Sequence, residues 1–159
     1  MGGMMGVRVA TIEDIPVIVE MAKKMHEQSD YASVPFVSEM YSGFLHIIFE
    51  NEDYRCFVYE KDKKIMGAII GLVAPYMFSP EIFAVDAGFF VLPECRGGVT
   101  ALRLESAYSE WAVWKAELVG QESIKIRLGS STGDKRAGAF FEKIGYGLVG
   151  GNYCKDVRC

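Results

Sequence analysis

At 159 residues the chain is the size of one domain and long enough to bury a single core, and with 50% of it apolar and 24% charged it is not a disordered chain. Its net charge of -4 excludes a general nucleic-acid binder, which needs a basic face. The longest apolar run, Ile65 to Pro75, is about half the length that a membrane-spanning helix needs, so no membrane partner is expected.

Residues 1–6 read as a flexible tail ahead of one domain over 7–159. Gly6 stands where a myristoylation signal wants Ser or Thr, and no charged leader precedes an apolar cleavage region. Val7 to Ala10 reads as a strand. Thr11 and Asp14 then cap a helix whose stripe is Ile15, Ile18, Val19, Ala22 and Met25. After a loop at Asp30 to Pro35, Ser38 to Glu50 is a second helix with Met40, Phe44, Ile47 and Ile48 on one side. Tyr54 to Glu60 and Ile65 to Val73 form a hairpin about Lys61 to Lys64, and Ile82 to Leu92 is the next strand. The longest helix runs from about Gly97 to Val119, striped by Leu104, Ala107, Trp111, Trp114 and Leu118. Ser123 to Leu128 alternates like a half-buried strand, Asp134 to Ile144 is a helix stopped by Gly145, and Tyr146 to the end supplies one or two last strands. The fold class is therefore α/β of the mixed α+β kind: a central, mostly antiparallel mixed sheet flanked by helices.

One junction carries chemistry. Val91-Leu-Pro-Glu-Cys-Arg96-Gly97-Gly98 joins a strand to the longest helix. A helix start offers unpaired N–H groups and about half a positive charge, and glycines let a phosphate approach them. Cys56, Cys95, Cys154 and Cys159 are scattered and only His26 and His46 are present, so no metal site is expected. Free thiols point to a reducing, cytoplasmic setting.

With these pieces placed, the chain resembles the GNAT superfamily of acyl-CoA-dependent N-acetyltransferases from Val7 to about Arg158. The likeness rests on Val7 to Pro16, on Val91 to Ala101 as a V-x-P-x-x-R-G-x-G-x-G/A signature, and on Ala137 to Tyr146 as an A-x-x-L-Y-E-K-x-G-F segment. It departs at three positions. Val99 stands for the second loop glycine, Phe141 for the tyrosine that protonates the departing thiolate in many members, and Asp134 for a frequent asparagine.

The resemblance implies acetyl-CoA as co-substrate and a backbone N–H around Phe90 to Leu92 as oxyanion donor. The cofactor-binding set is Phe90, Val91, Arg96, Gly97, Gly98, Val99, Thr100 and Ala101, with charge from Arg103, Lys135, Arg136 and Lys143 nearby. Asp86, with Glu81 behind it, is the candidate general base, and Tyr146, Tyr153 or Cys95 stand in as general acids. The expected activity is transfer of acetyl to a primary amine of a small molecule or a protein; the oligomeric state is left open, with a homodimer as one form to test. The alternatives are an acyl-CoA-binding module of the same fold without turnover and, from another class, a scaffold whose Tyr31 to Phe49 stretch is a partner surface. The same stretch and Tyr76 to Glu81 are where an acceptor pocket is expected.

Overall fold

The computed structural model describes residues 6–130 and 135–158, so Asp134, Cys159 and most of the expected tail lie outside the described residues. Strands β1 (Gly6–Val9), β2 (Tyr54–Lys61), β3 (Lys64–Tyr76), β4 (Ser79–Val91) and β5 (Ile126–Arg127) form one sheet in that order. Every pair is antiparallel except β4 with β5, which is parallel. Four helices accompany it: α1 (Ile15–Glu27), α2 (Ser38–Phe49), α3 (Val99–Leu118) and α4 (Lys135–Lys143). The expected mixed sheet with flanking helices is what forms.

The first corner is fixed by charge. The Asp14 carboxylate accepts the Thr11 N–H at 2.8 Å, closing the capping box ahead of α1, and takes both terminal nitrogens of Arg8 at 2.7 and 2.9 Å. Arg8 also donates to Glu60 of β2, so one guanidinium ties the edge strand to the helix start.

α1 and α2 cover one face of the sheet, where Ile18, Leu45, Ile48, Val58 and Ile70 are buried with Phe90. α3 covers the other, where Leu104, Tyr108 and Trp111 meet Tyr59, Ile69, Val73 and Ala84. Each fully buried aliphatic chain here contributes about 1.5–3 kcal/mol. α3 lies flat because Gly71 leaves room for two rings. A Cβ there would stand 2.6 Å from Tyr108 and 2.8 Å from Trp111.

Two stripes differ from the periodic reading. In α2 the core positions are Leu45 and Ile48, with Tyr41 and Phe44 packed against them, while Met40 and Ile47 are 74% and 69% exposed. In α3 Tyr108 and Ala112 take the buried places beside Trp111, and Trp114 and Leu118 turn outward. Both misses are a rotation of the helix by about one residue, which apolar content alone does not fix when apolar side chains occupy more than one face.

The strand expected over Ser123 to Leu128 shrinks to Ile126–Arg127, and no strand forms among residues 146–158. Gly145 and Gly150 hold positive φ and Gly147 and Gly151 interrupt the apolar run, so Leu148, Val149, Tyr153 and Val157 have no face to bury against. The short β4–β5 pairing is reinforced at both ends by side chains. The Gln121 amide bonds the Ile82 N–H and C=O at 2.9 Å each, and Gly129 N–H donates to Asp86 Oδ1 at 2.7 Å. Beyond Asp86 the two strands part.

Candidate active site

The edge that β5 abandons is shaped by a bulge. Ile70 pairs with Gly88 but Gly71 pairs with Asp86, so Ala87 has no opposite residue. On the far side of the bulge Leu92 N–H bonds the Met66 carbonyl at 2.9 Å. Alternation along an antiparallel ladder then turns the Phe90 amide toward β3 and the Phe89 and Val91 amides toward the parted edge. Only Ala84 and Val85 pair with β5, so neither of those amides has a strand partner among the described residues. Of the donors expected around Phe90 to Leu92, the one facing the opening is Val91. Phe90 is 5% exposed and seated in the α1–α2 core. Phe89 was missed by sequence reasoning because a bulge reverses which amides face out, and its one mark in the sequence is Gly88 inside the strand.

The parted edge runs straight into the turn before α3. Arg96 Nε donates to the Val91 carbonyl at 3.1 Å, folding the turn back on the strand end and leaving its terminal nitrogens unpaired among the described residues. Gly97 has φ of +80°, a conformation that glycine adopts without penalty. Gly98 is the N-cap, with no side-chain cap bond, and a Cβ there would make only an ordinary contact with the Cys95 carbonyl. The first amides of α3, on Val99, Thr100 and Ala101, are thus uncapped by any side chain among the described residues. Thr100 is buried with its methyl near Gly67, which seats the helix start against β3. Val99 opens α3 and is half exposed. These residues fit a diphosphate: helix-start N–H groups uncapped by side chains among the described residues, a guanidinium fork, and two glycines without side chains.

Asp86 lies where the strands part, on the α3 side of the sheet. Burial pushes its carboxyl up from the ordinary 3.8 to about 6, against the opposing pull of the Gly129 N–H and its own backbone. That value suits a proton acceptor working near neutrality. Close by, Glu105 of α3 is buried and accepts from Tyr146 Oη at 2.7 Å and from Ser109 Oγ. Tyr108 Oη donates to the Arg127 carbonyl at 3.3 Å. Burial, with Glu105 adding to it at Tyr146, raises both phenols well above the tyrosine range. Phe141 stacks on Phe89, 6.4 Å between centroids, and touches Tyr146. Of the three stand-in acids, Tyr146 has its hydroxyl committed to Glu105, Tyr153 is 99% exposed, and Cys95 lies in the turn ahead of α3.

The outlying candidates are scattered. Arg103 stacks over the Tyr59 ring at 5.9 Å, Lys135 and Lys143 are exposed on α4 with Arg136, and Glu81 is exposed on β4. His26 packs on Phe36 and His46 is exposed, neither beside the parted edge. Glu105, Tyr108 and Gly129 were not singled out from sequence. A glutamate on a long helix carries no sign of burial until the Tyr146 contact closes over it.

Among the described residues, an open edge on the penultimate strand, a bulge and a glycine turn feeding a helix start define a cleft between two diverging strands of a mixed sheet. No protein-family model matches the sequence, and no curated protein does. Solved structures do match. An aminoglycoside N-acetyltransferase, AAC(6')-Iy in complex with CoA, superposes with a TM-score of 0.76 over 100% of this chain and 98% of its own at 16% identity. A GNAT family acetyltransferase from Staphylococcus aureus gives 0.63 over 99% of this chain and 100% of its own, also at 16%. A transcriptional regulator from Bacillus halodurans C-125 gives 0.72 over 97% and 100% at 18%. The chain has the GNAT acetyltransferase fold.

Proposed function

We propose that the protein transfers an acetyl group from acetyl-CoA to a primary amine. The observation that carries this reading is the unpaired β4 edge running into the Arg96 to Ala101 turn, in a fold shared with an acetyltransferase solved with CoA. Arg96 and the amides of Gly97 to Ala101 hold the diphosphate. Acetyl-CoA supplies the reactive thioester. The Phe89 and Val91 amides donate to the carbonyl oxygen as charge builds on it, a contribution worth about 3 kcal/mol for one well-placed donor. Asp86 accepts the amine proton through water. The amine nitrogen bonds to the acetyl carbon, the carbon–sulfur bond breaks, and the proton count closes on the thiol. Phe141 has no hydroxyl to give, and a coenzyme A thiolate leaves tolerably near neutral pH without one.

A second reading has its own observation. With Phe141 lacking a proton and Tyr146 held by Glu105, the same cleft serves as an acyl-CoA-binding module without turnover. Thiol release with acetyl-CoA and a panel of amines separates the two: transfer gives steady release that depends on the amine, whereas a binder gives ligand-induced stabilisation with none.

A further inference from the structure

The face that carries α1 and α2 is covered over only part of its length. Ile70 and Phe90 reach the α1–α2 core, whereas Val73, Ala84 and Ile126 turn to α3. Alternation therefore puts Tyr76 of β3, Phe83 and Val85 of β4 and Arg127 of β5 on the first face, outside the packing of either helix layer. The side chains there form a column. Phe78 stacks on Tyr76 at 5.4 Å, Tyr76 on Phe83 at 4.7 Å, and the Arg127 guanidinium lies 5.7 Å over Phe83.

Arg127 makes no ion pair among the described residues, and neither does Lys125, which precedes β5 and bonds Ala84 through its carbonyl. Glu81 shares this side of β4 but sits four residues from Val85, about 13 Å away at the outer end of the column. A guanidinium stacked on a ring keeps its N–H edge free, and that edge matches a carboxylate. Between Val85, which pairs with Arg127, and Phe89, β4 advances three aligned steps because the bulge residue adds none, about 10 Å.

Resting on the acetyl-transfer reading, the geometry points to the acceptor's chemistry: an amine that carries an anionic group about 10 Å from the reacting nitrogen, with an apolar or aromatic segment between them. The nitrogen reaches the parted edge at Phe89, the apolar segment lies on the Tyr76–Phe83 rings, and the anion meets Arg127 with Lys125 behind it. An aminoglycoside, with several ammonium groups, meets like charge at the same place.

The test uses two C-terminally amidated tripeptides, Ala-Phe-Glu and Ala-Phe-Arg, which share the α-amine as their one primary amine, carry opposite third charges and span about 10 Å when extended. Thiol release at saturating acetyl-CoA gives kcat/KM for each, and acetyl-CoA stabilisation is read separately by thermal melting. The wild type is expected to favour the Glu peptide by about tenfold, the preference shrinking in high salt. Arg127→Glu is expected to invert it with the acetyl-CoA shift intact. Equal rates, an Arg preference, or turnover of neither peptide while the shift persists overturns this inference and leaves acetyl-CoA binding standing. Loss of the shift in the wild type overturns the underlying reading as well. Should the variant not fold, the wild-type ratio decides alone.

Discussion

Replacing Asp86 with Asn separates what this carboxylate does for the fold from what it does for catalysis. In the folded protein its oxygen accepts the Gly129 N–H at 2.7 Å, and burial lifts its pKa from 3.8 to about 6. Because the folded value is the raised one, the carboxyl favours folding at low pH and that contribution is lost as pH climbs from about 4 through 6. Roughly two units correspond to at most about 3 kcal/mol of destabilisation at pH 8. Asparagine keeps an acceptor oxygen for Gly129 and cannot ionise. Asp86→Asn should therefore match the wild type at pH 4, and at pH 8 be more stable by up to about 3 kcal/mol, read by urea unfolding at both pH values. The same variant should lose about a hundredfold or more in thiol release, and the wild-type kcat/KM should rise with pH to a plateau above about 6. A variant less stable than the wild type at pH 8, or a difference that ignores pH, refutes the reasoning about burial. Full activity in the variant refutes the role as base.

Three further outcomes follow from the geometry. Arg96→Glu should remove acetyl-CoA-induced thermal stabilisation without lowering the melting temperature of the free protein, since Arg96 is exposed and, among the described residues, bonds only the Val91 carbonyl. Gly71→Ala should cost about 1–3 kcal/mol in urea unfolding, because its Cβ would stand 2.6 Å from Tyr108 and the ring must shift. Phe141→Tyr puts a hydroxyl on the ring that stacks on Phe89. It should raise kcat about tenfold with acetyl-CoA affinity unchanged, measured by thiol release and calorimetry.

What could be read in advance was what depends on local pattern. Thr11 and Asp14 announced the first helix, apolar and aromatic runs broken by the Lys61 to Lys64 turn announced β2 to β4, and the Arg96-Gly97-Gly98 turn stood out because its glycines precede a long helix. Long-range facts stayed hidden. The bulge at Ala87 decides which amides face outward; Gly88 beside it is the one local sign, and its register is fixed only against β3. The buried Glu105 needs Tyr146, 41 residues away, before its burial makes sense. Tyr108 looked no different from Trp114 on the helix wheel, and its inward place depends on partners such as Gly71, which leaves room for its ring. At the end of the chain the apolar alternation promised strands, but glycines at 145, 147, 150 and 151 break it, and Leu148 and Val149 remain exposed.

The measurement that bears most directly on the account is a titration with acetyl-CoA followed by backbone amide NMR together with melting. Binding should stabilise the fold by about 2.7 kcal/mol at a hundredfold excess over Kd. The largest amide shifts should fall on Phe89, Val91 and Gly97 to Ala101. An unchanged melt, or shifts confined to residues away from β4 and the start of α3, contradicts it.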